Sequence, residues 1–250
     1  MKEINRRAFV HWTCGALSIG AGTAVAAEHA GEAPRGLPTV QWGAHCISRL
    51  LVGHNPIKGT SHFSPQLDRE MRDWFADPAH GVELLRRSEA LGINTCQMGG
   101  EAIEALLRSH YAEGGHLQWI ATFYSAPGRG KEELARILRM RPRPIGVQQL
   151  GNTSDALMKA GKIDRALDNL KMFRDAGLLV GLGSHNHEVI DYAESKGWDV
   201  DYYMTCVYER HRSAAELEKL LGQAPLPVGE VYLPKDPPRM FNVMPQTKRP

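Results

Sequence analysis

The chain has 250 residues, of which 42% are hydrophobic and 23% charged, with a formal net charge of +2. That length holds one large domain with a real core, and the scattering of Lys and Arg among Asp and Glu excludes a basic stripe for nucleic acid. The four cysteines, Cys14, Cys46, Cys96 and Cys206, form no Cys-x-x-Cys pair, so no metal knuckle or dithiol motif is expected; the last three read as buried apolar thiols on strands.

The chain opens with Asn5-Arg6-Arg7-Ala8-Phe9-Val10. This resembles the Ser/Thr-Arg-Arg-x-Phe-Leu-Lys pattern of exported proteins, with Asn5 in the first place and Val10-His11 in the last two. Residues 12–27 are rich in Ala and Gly, too short and too flexible to span a bilayer stably, and end in the small-residue site Ala24-Val25-Ala26-Ala27. A charged start, an apolar middle and a small-residue end make an export signal. The arginine pair predicts the twin-arginine route, whose machinery would carry the folded protein to the periplasm or another extracytoplasmic space. Residues 1–27 are thus expected to be a signal peptide and 28–38 a polar linker. No later apolar run predicts a membrane span once the signal is cleaved.

A small hairpin is expected from Thr39-Val40-Gln41-Trp42, Gly43-Ala44 and Cys46-Ile47-Ser48. Beyond it, short apolar runs recur at 49–53, 93–98, 117–124, 145–150, 178–182 and 200–207. Between them lie segments of helical period at 80–91, 101–111, 131–140, 164–176 and 188–195. Ser213-Ala214-Ala215-Glu216 is a capping box that opens a sixth helix. The segment 56–78 is long for a strand-to-helix loop and reads either as a lid or as an ordered surface excursion.

A repeated strand-helix unit gives a parallel sheet with right-handed crossovers. No Gly-x-Gly-x-x-Gly follows the first strand, so the expected fold is an α/β protein of the (β/α)8 TIM-barrel type, occupying 39–250, and not a Rossmann unit. Only six strand-helix units are counted. The closing run 231–250, with five prolines, is expected to hold no helix and to lead toward a seventh strand. The sequence therefore reads as a fragment of a longer barrel.

In such barrels the working residues lie at the carboxyl ends of the strands and on the loops that follow. Those positions offer His54, Tyr124 and His185 as candidate acid/base residues. Asn55, Gln97, Gln149, Asn152 and Arg210 are candidate substrate contacts. Gln148 and Gln149 point to opposite faces, so only one can face inward. The set is rich in amide, imidazole and phenol groups and poor in carboxylates. It suits a small polyhydroxylated or carbonyl substrate and lacks the acid pair of a glycosidase. Two histidines without a partnering carboxylate fall short of a three-ligand metal site, so no metal ligand is assigned. Asp199 and Asp201 are read as serving the turn into the last strand, and 209–212 as a solvated charge run.

Several of these stretches resemble the aldo/keto reductase-like superfamily of NADP-linked barrels, and in particular a twin-arginine-exported bacterial branch of it. The carriers are the hairpin with Ile47-Ser48-Arg49-Leu50-Leu51-Val52-Gly53; Leu91-Gly92-Ile93-Asn94-Thr95 with Gly99-Gly100-Glu101; Ile120-Ala121-Thr122; Val147-Gln148-Gln149-Leu150; and Gly181-Leu182-Gly183-Ser184-His185-Asn186. The resemblance implies a carbonyl oxidoreductase, with Ser184 and Asn186 near the nicotinamide of NADP. It also places Gln97, Phe123 and Gly151 where the family has Asp, Lys and His, and Gly99-Gly100 where it supplies Tyr. The implied function is a divergent oxidoreductase of carbonyl or sugar-like molecules without the usual tetrad. The alternatives are a cofactor-independent or metal-assisted isomerase, lyase or hydrolase, and a non-catalytic carbohydrate-binding barrel.

Overall fold

In the computed structural model the described residues are 36–124, 129–210, 212–225 and 231–249. The expected signal peptide and most of the linker lie outside them. Strands β1 (Thr39–Trp42) and β2 (His45–Ser48) form the antiparallel hairpin, turning at Gly43 with φ +55°, a left-handed value that glycine adopts without a Cβ clash.

Six parallel strands follow in one sheet: β3 (Val52–Gly53), β4 (Thr95–Met98), β5 (Gln118–Phe123), β6 (Gly146–Gln149), β7 (Leu179–Ser184) and β8 (Tyr202–Thr205). They are hydrogen-bonded in chain order, without the reversal that marks an open doubly wound sheet. The helices are α1 (Pro65–Trp74), α2 (Pro78–Ala90), α3 (Glu101–Ala112), α4 (Gly130–Leu138), α5 (Gly151–Lys159), α6 (Ala166–Asp175), α7 (His187–Lys196), α8 (Ala214–Leu221) and α9 (Asp236–Val243).

The pleat sorts each strand into two faces. On the outer face Cys96, Met98, Trp119, Ala121, Phe123, Val147, Val180 and Leu182 pack against helix residues including Leu85, Leu107, Ile137, Leu170, Phe173 and Ala193. This is the main apolar core. On the inner face lie Gln97, Ile120, Thr122, Gly146, Gln148, Gly181, Gly183, Tyr202 and Met204. Here large side chains from one strand fold over glycines of the next. A Cβ on Gly181 would stand 2.2 Å from the Tyr202 ring, and one on Gly183 would stand 2.1 Å from the Gln148 amide.

Contacts at both poles show that the sheet is curled into a half-barrel. At the amino ends of the strands the hairpin lies across the floor. Trp42 meets the ring of Tyr202 in β8 at 4.1 Å, the Cys46 carbonyl accepts from Gln118 at the start of β5, and the Ser48 N–H donates to Asn94 before β4. At the carboxyl ends the Tyr232 hydroxyl, from beyond β8, donates to the His62 carbonyl, from beyond β3, at 2.8 Å. A flat ribbon of six strands, spaced about 4.8 Å apart, would hold its two edges too far apart for either bridge.

Within the long 56–78 segment lies helix α1, started by Ser64, which accepts the Leu67 N–H at the N-cap. Other sequence expectations are corrected. Helix α5 begins directly at Gly151, where only a loop was expected. The 231–249 stretch contains α9, and its Pro237 and Pro238 sit in the first turn, where the missing N–H groups cost nothing. The 209–212 run is not wholly a solvated face: Arg210 is exposed, but the Arg212 side chain is only 6% exposed and is paired with Asp236 and Glu209. Asp199 and Asp201 do serve the turn into β8, both pairing with Arg174. The Ser213–Glu216 capping box is present on α8. Of the three thiols expected to be buried on strands, Cys96 is buried on β4, but Cys46 is exposed on β2 and Cys206 is half-buried just past β8. Among the described residues no helix is long and apolar enough to cross a membrane.

Candidate functional site

At the carboxyl rim, the ends of β3 and β5 bring three polar side chains together. Tyr124 follows the last residue of β5, and its backbone N–H is held by the Glu133 carboxylate at 2.9 Å. Its hydroxyl lies 3.0 Å from His54 Nε2 and receives a hydrogen bond from Lys58 Nζ at 2.9 Å. Lys58 also lies 4.7 Å from the centre of the Tyr124 ring, a cation-π contact. The lysine is delivered by local geometry. The Lys58 N–H donates to the His54 carbonyl at 3.0 Å, one turn of helix, which puts positions 54 and 58 on the same side. Gly59, at φ +63°, then lets the chain reverse beneath Arg72, which donates to its carbonyl.

His54 Nδ1 faces the Gln97 carbonyl at 3.5 Å, and the Tyr124 hydroxyl lies 3.3 Å from the Gly99 carbonyl as well as beside Nε2. With the ring proton on Nδ1, Nε2 is left to accept from the Tyr124 hydroxyl. Burial, followed by the nearby Lys58 charge, lowers the His54 pKa to about 4 against the opposing bond to Gln97. At neutral pH the ring is therefore an uncharged acceptor. The trio combines a phenol, a neutral imidazole and an ammonium on a half-open rim.

Further round the rim, Gln97 donates to Gln148 across the inner face, and the Gln148 amide in turn donates to the Gln149 carbonyl at 3.0 Å. Gln149 itself turns outward, where Asn169 of α6 donates to its side-chain oxygen at 2.9 Å. Of the two adjacent glutamines, Gln148 is thus the inward one, and Gln149 lies under a helix, away from the mouth. Asn55 is exposed and bonds to His62 at 2.8 Å. Asn152 is exposed on the first turn of α5, and Arg210 is exposed beyond β8.

His185, which follows β7, joins a different group. Its Nδ1 meets Asp155 of α5 at 2.7 Å, and its backbone N–H donates to the same carboxylate at 3.1 Å. The Ser184 hydroxyl also donates to Asp155 and accepts from the Asn186 N–H at 2.9 Å. The Asn186 side chain accepts from the Glu188 N–H at 3.0 Å, the N-cap of α7, and its amide reaches the Glu188 carboxylate at 3.4 Å. Burial pulls the His185 pKa down, but hydrogen bonds to Asp155 and the Cys206 thiol, with their charges, carry it up to about 9. Gly151 makes room for the ring, since a Cβ there would stand 3.1 Å from it. A small cleft beside the imidazole is lined by His187, Val207, Glu209, Asp236, Arg239 and Met240.

Of the three acid/base candidates, then, His54 and Tyr124 are brought into contact and His185 belongs to a second cluster. Lys58 and Asp155 were not read as site residues. The spacing of His54 and Lys58, four apart beside a glycine, was the available signal for the first. For Asp155 there was none, because the helix that carries it was not expected. Among the described residues no group of three or more His, Cys, Asp or Glu side chains could hold a metal ion. No family model matches the chain, and no curated protein matches it.

Proposed function

We propose that the protein is an acid/base enzyme acting on a small carbonyl compound, and that its six parallel strands belong to an eight-stranded barrel of the aldo/keto reductase-like type. The observation that carries this reading is the Tyr124 hydroxyl held between His54 Nε2 and Lys58 Nζ at 3.0 and 2.9 Å. A substrate carbonyl oxygen reaching that hydroxyl accepts its proton, and the Lys58 ammonium stabilises the negative charge that develops beside it. The neutral His54 Nε2 takes the proton from the carbon next to the carbonyl while the phenol proton goes to the oxygen, and the reverse transfers onto the neighbouring carbon restore both groups. The chemistry is proton transfer, as in an isomerase or lyase.

Carbonyl reduction with a hydride from NADP is the reading the family resemblance implies. The residues it assigns to the nicotinamide do not fit that task. The Ser184 hydroxyl is buried on Asp155, and the Asn186 amide is spent on the cap of α7 and on Glu188. Export rests on the arginine pair, the Ala- and Gly-rich stretch 12–27 and its small-residue end taken together; replacing Arg6 and Arg7 by Lys should leave the unprocessed chain in the cytoplasm.

The test is a panel of hydroxyaldehydes and ketoses incubated with the full chain in deuterated water, followed by proton NMR, with and without NADPH. Deuterium entering next to the carbonyl without NADPH, and abolished by Tyr124→Phe, is the expected result. Oxidation of NADPH without exchange would establish the reductase reading instead. Binding of the sugars with neither reaction would leave a carbohydrate-binding barrel.

A further inference from the structure

The second cluster has a use of its own. The Cys206 N–H donates to the Ser184 carbonyl at 2.9 Å, which extends the β7–β8 ladder one step past the Ser184–Thr205 pair. His185 and Cys206 are therefore lateral neighbours on adjacent parallel strands, about 4.8 Å apart at the backbone. Cys206 points the same way as Met204 of the inner face, its sulfur 3.6 Å from the Met204 sulfur. That register sets the thiol beside the imidazole, whose pKa it helps to raise. Because Asp155 occupies Nδ1 at 2.7 Å, the nitrogen left for the thiol is Nε2. The Asp155 side chain is 2% exposed and that of His185 is 9% exposed, so the pair is fixed, whereas Cys206 is half-buried and can be approached from solvent.

We propose that Cys206, His185 and Asp155 form a nucleophilic thiol centre, separate from the Tyr124 group, that accepts acyl groups from activated esters and thioesters. In the reactive form the one proton shared by the pair sits on His185 Nε2, leaving the Cys206 sulfur as the nucleophile, and Asp155 holds the imidazolium through Nδ1. The thiolate sulfur attacks the acyl carbon and forms a thioester. The alcohol or thiol leaves with the bonding electron pair and takes the proton from His185. Water then attacks the thioester, giving its proton to His185 and releasing the acid, and the thiol is restored. No oxidant or reductant enters.

The arrangement is the opposite of an inert buried cysteine. Cys96, on β4, is fully buried, and its pKa is driven up by desolvation. Cys206 instead lies beside an imidazole fixed by a carboxylate, at a half-buried place that solvent reaches. The charged and titratable groups around that ring are Asp155 from α5, Cys206 past β8, His187 at the start of α7, Glu209 in the loop before α8, and Asp236 and Arg239 from α9.

The full chain is alkylated with iodoacetamide, and the rate at each cysteine is read by peptide mapping. Cys46, exposed on β2, is the internal reference. Cys206 should react at least about tenfold faster than Cys46 at pH 6 and change little up to pH 8, while Cys46 speeds up about tenfold per pH unit. His185→Gln and Asp155→Asn should each cost Cys206 most of that advantage at pH 6 with Cys46 unaffected. With p-nitrophenyl acetate, one equivalent of p-nitrophenolate should appear in a burst, with the acetyl group on the Cys206 peptide and the burst lost in Cys206→Ser. A Cys206 rate that follows Cys46 across pH, or a His185→Gln variant that alkylates like the parent, would overturn the centre. So would an acetyl group found elsewhere.

Discussion

Lys58 Nζ donates to the Tyr124 hydroxyl at 2.9 Å across 66 positions of sequence, and the same phenol touches His54 at 3.0 Å. The β3 end supplies the cation and the imidazole, and the β5 end supplies the proton. Removing the hydroxyl alone separates chemistry from fold. Tyr124→Phe should lower turnover in the exchange assay by about 10²- to 10⁴-fold, the usual worth of a positioned acid/base group. Its melting temperature should stay within a few degrees of the parent. An active Phe variant would move the chemistry elsewhere on the rim.

The charge state of His54 depends first on burial and then on Lys58. In Lys58→Met the second cause is gone, so the imidazole should titrate at a higher pH than the parent's value of about 4 when followed by NMR. The direction for stability follows from the same shift. The folded pKa lies below the unfolded value of 6.5, so the fold binds fewer protons than the unfolded chain between those limits. Stability should therefore fall as pH is lowered from 6.5 toward 4, and Lys58→Met should soften that decline. Denaturant melts at pH 4.5 and 7 on both proteins measure it.

His185 has the reverse sign. Its folded pKa, about 9, is above the unfolded value of 6.5. Its contribution to stability is fully present below pH 6.5 and is lost as pH rises through 9. Asp155→Asn should bring the imidazole pKa down and flatten the alkaline decline, as read by imidazole NMR and by denaturant melts between pH 6 and 10.

Arg212 and Asp236 tie the loop after β8 to α9, with side chains 6% and 2% exposed. Arg212→Met leaves the Asp236 carboxylate buried without its main partner, a loss of about 3–5 kcal/mol. The double replacement with Asp236→Leu should recover a good part of it, because the stranded charge is gone. Thermal melts of the single and double variants separate the two outcomes.

The sheet was legible because each buried parallel strand is a short apolar run bounded by polar or glycine-rich stretches, and all six runs coincide with strands. The helices with a clear apolar stripe were legible for the same reason. Helix α5 was not, because its buried positions are Gly151, Ser154 and Asp155, which leave no hydrophobic period. Helix α9 was hidden by Pro237 and Pro238, which break a helix interior but suit its first turn. At the rim, strand ends pointed to His54, Tyr124 and His185. Their pairing was not legible, since it depends on Lys58 turning back from a loop and on an aspartate from an outer helix. Gln148 and Gln149 show the limit plainly: alternation says that one faces in, and only the register with β5 and the bond to Asn169 say which.

The Tyr202 ring lies in the space that a side chain at Gly181 would fill, with Trp42 pressed on it from the floor. Positions 181 and 202 consequently share a single volume. Among related chains a methyl or larger group gained at 181 is affordable only where the aromatic at 202 has shrunk, and the residue at 42 must then grow or shift to seal the gap. These three sites should drift through evolution in concert, although the first and the last are 160 positions apart in the chain.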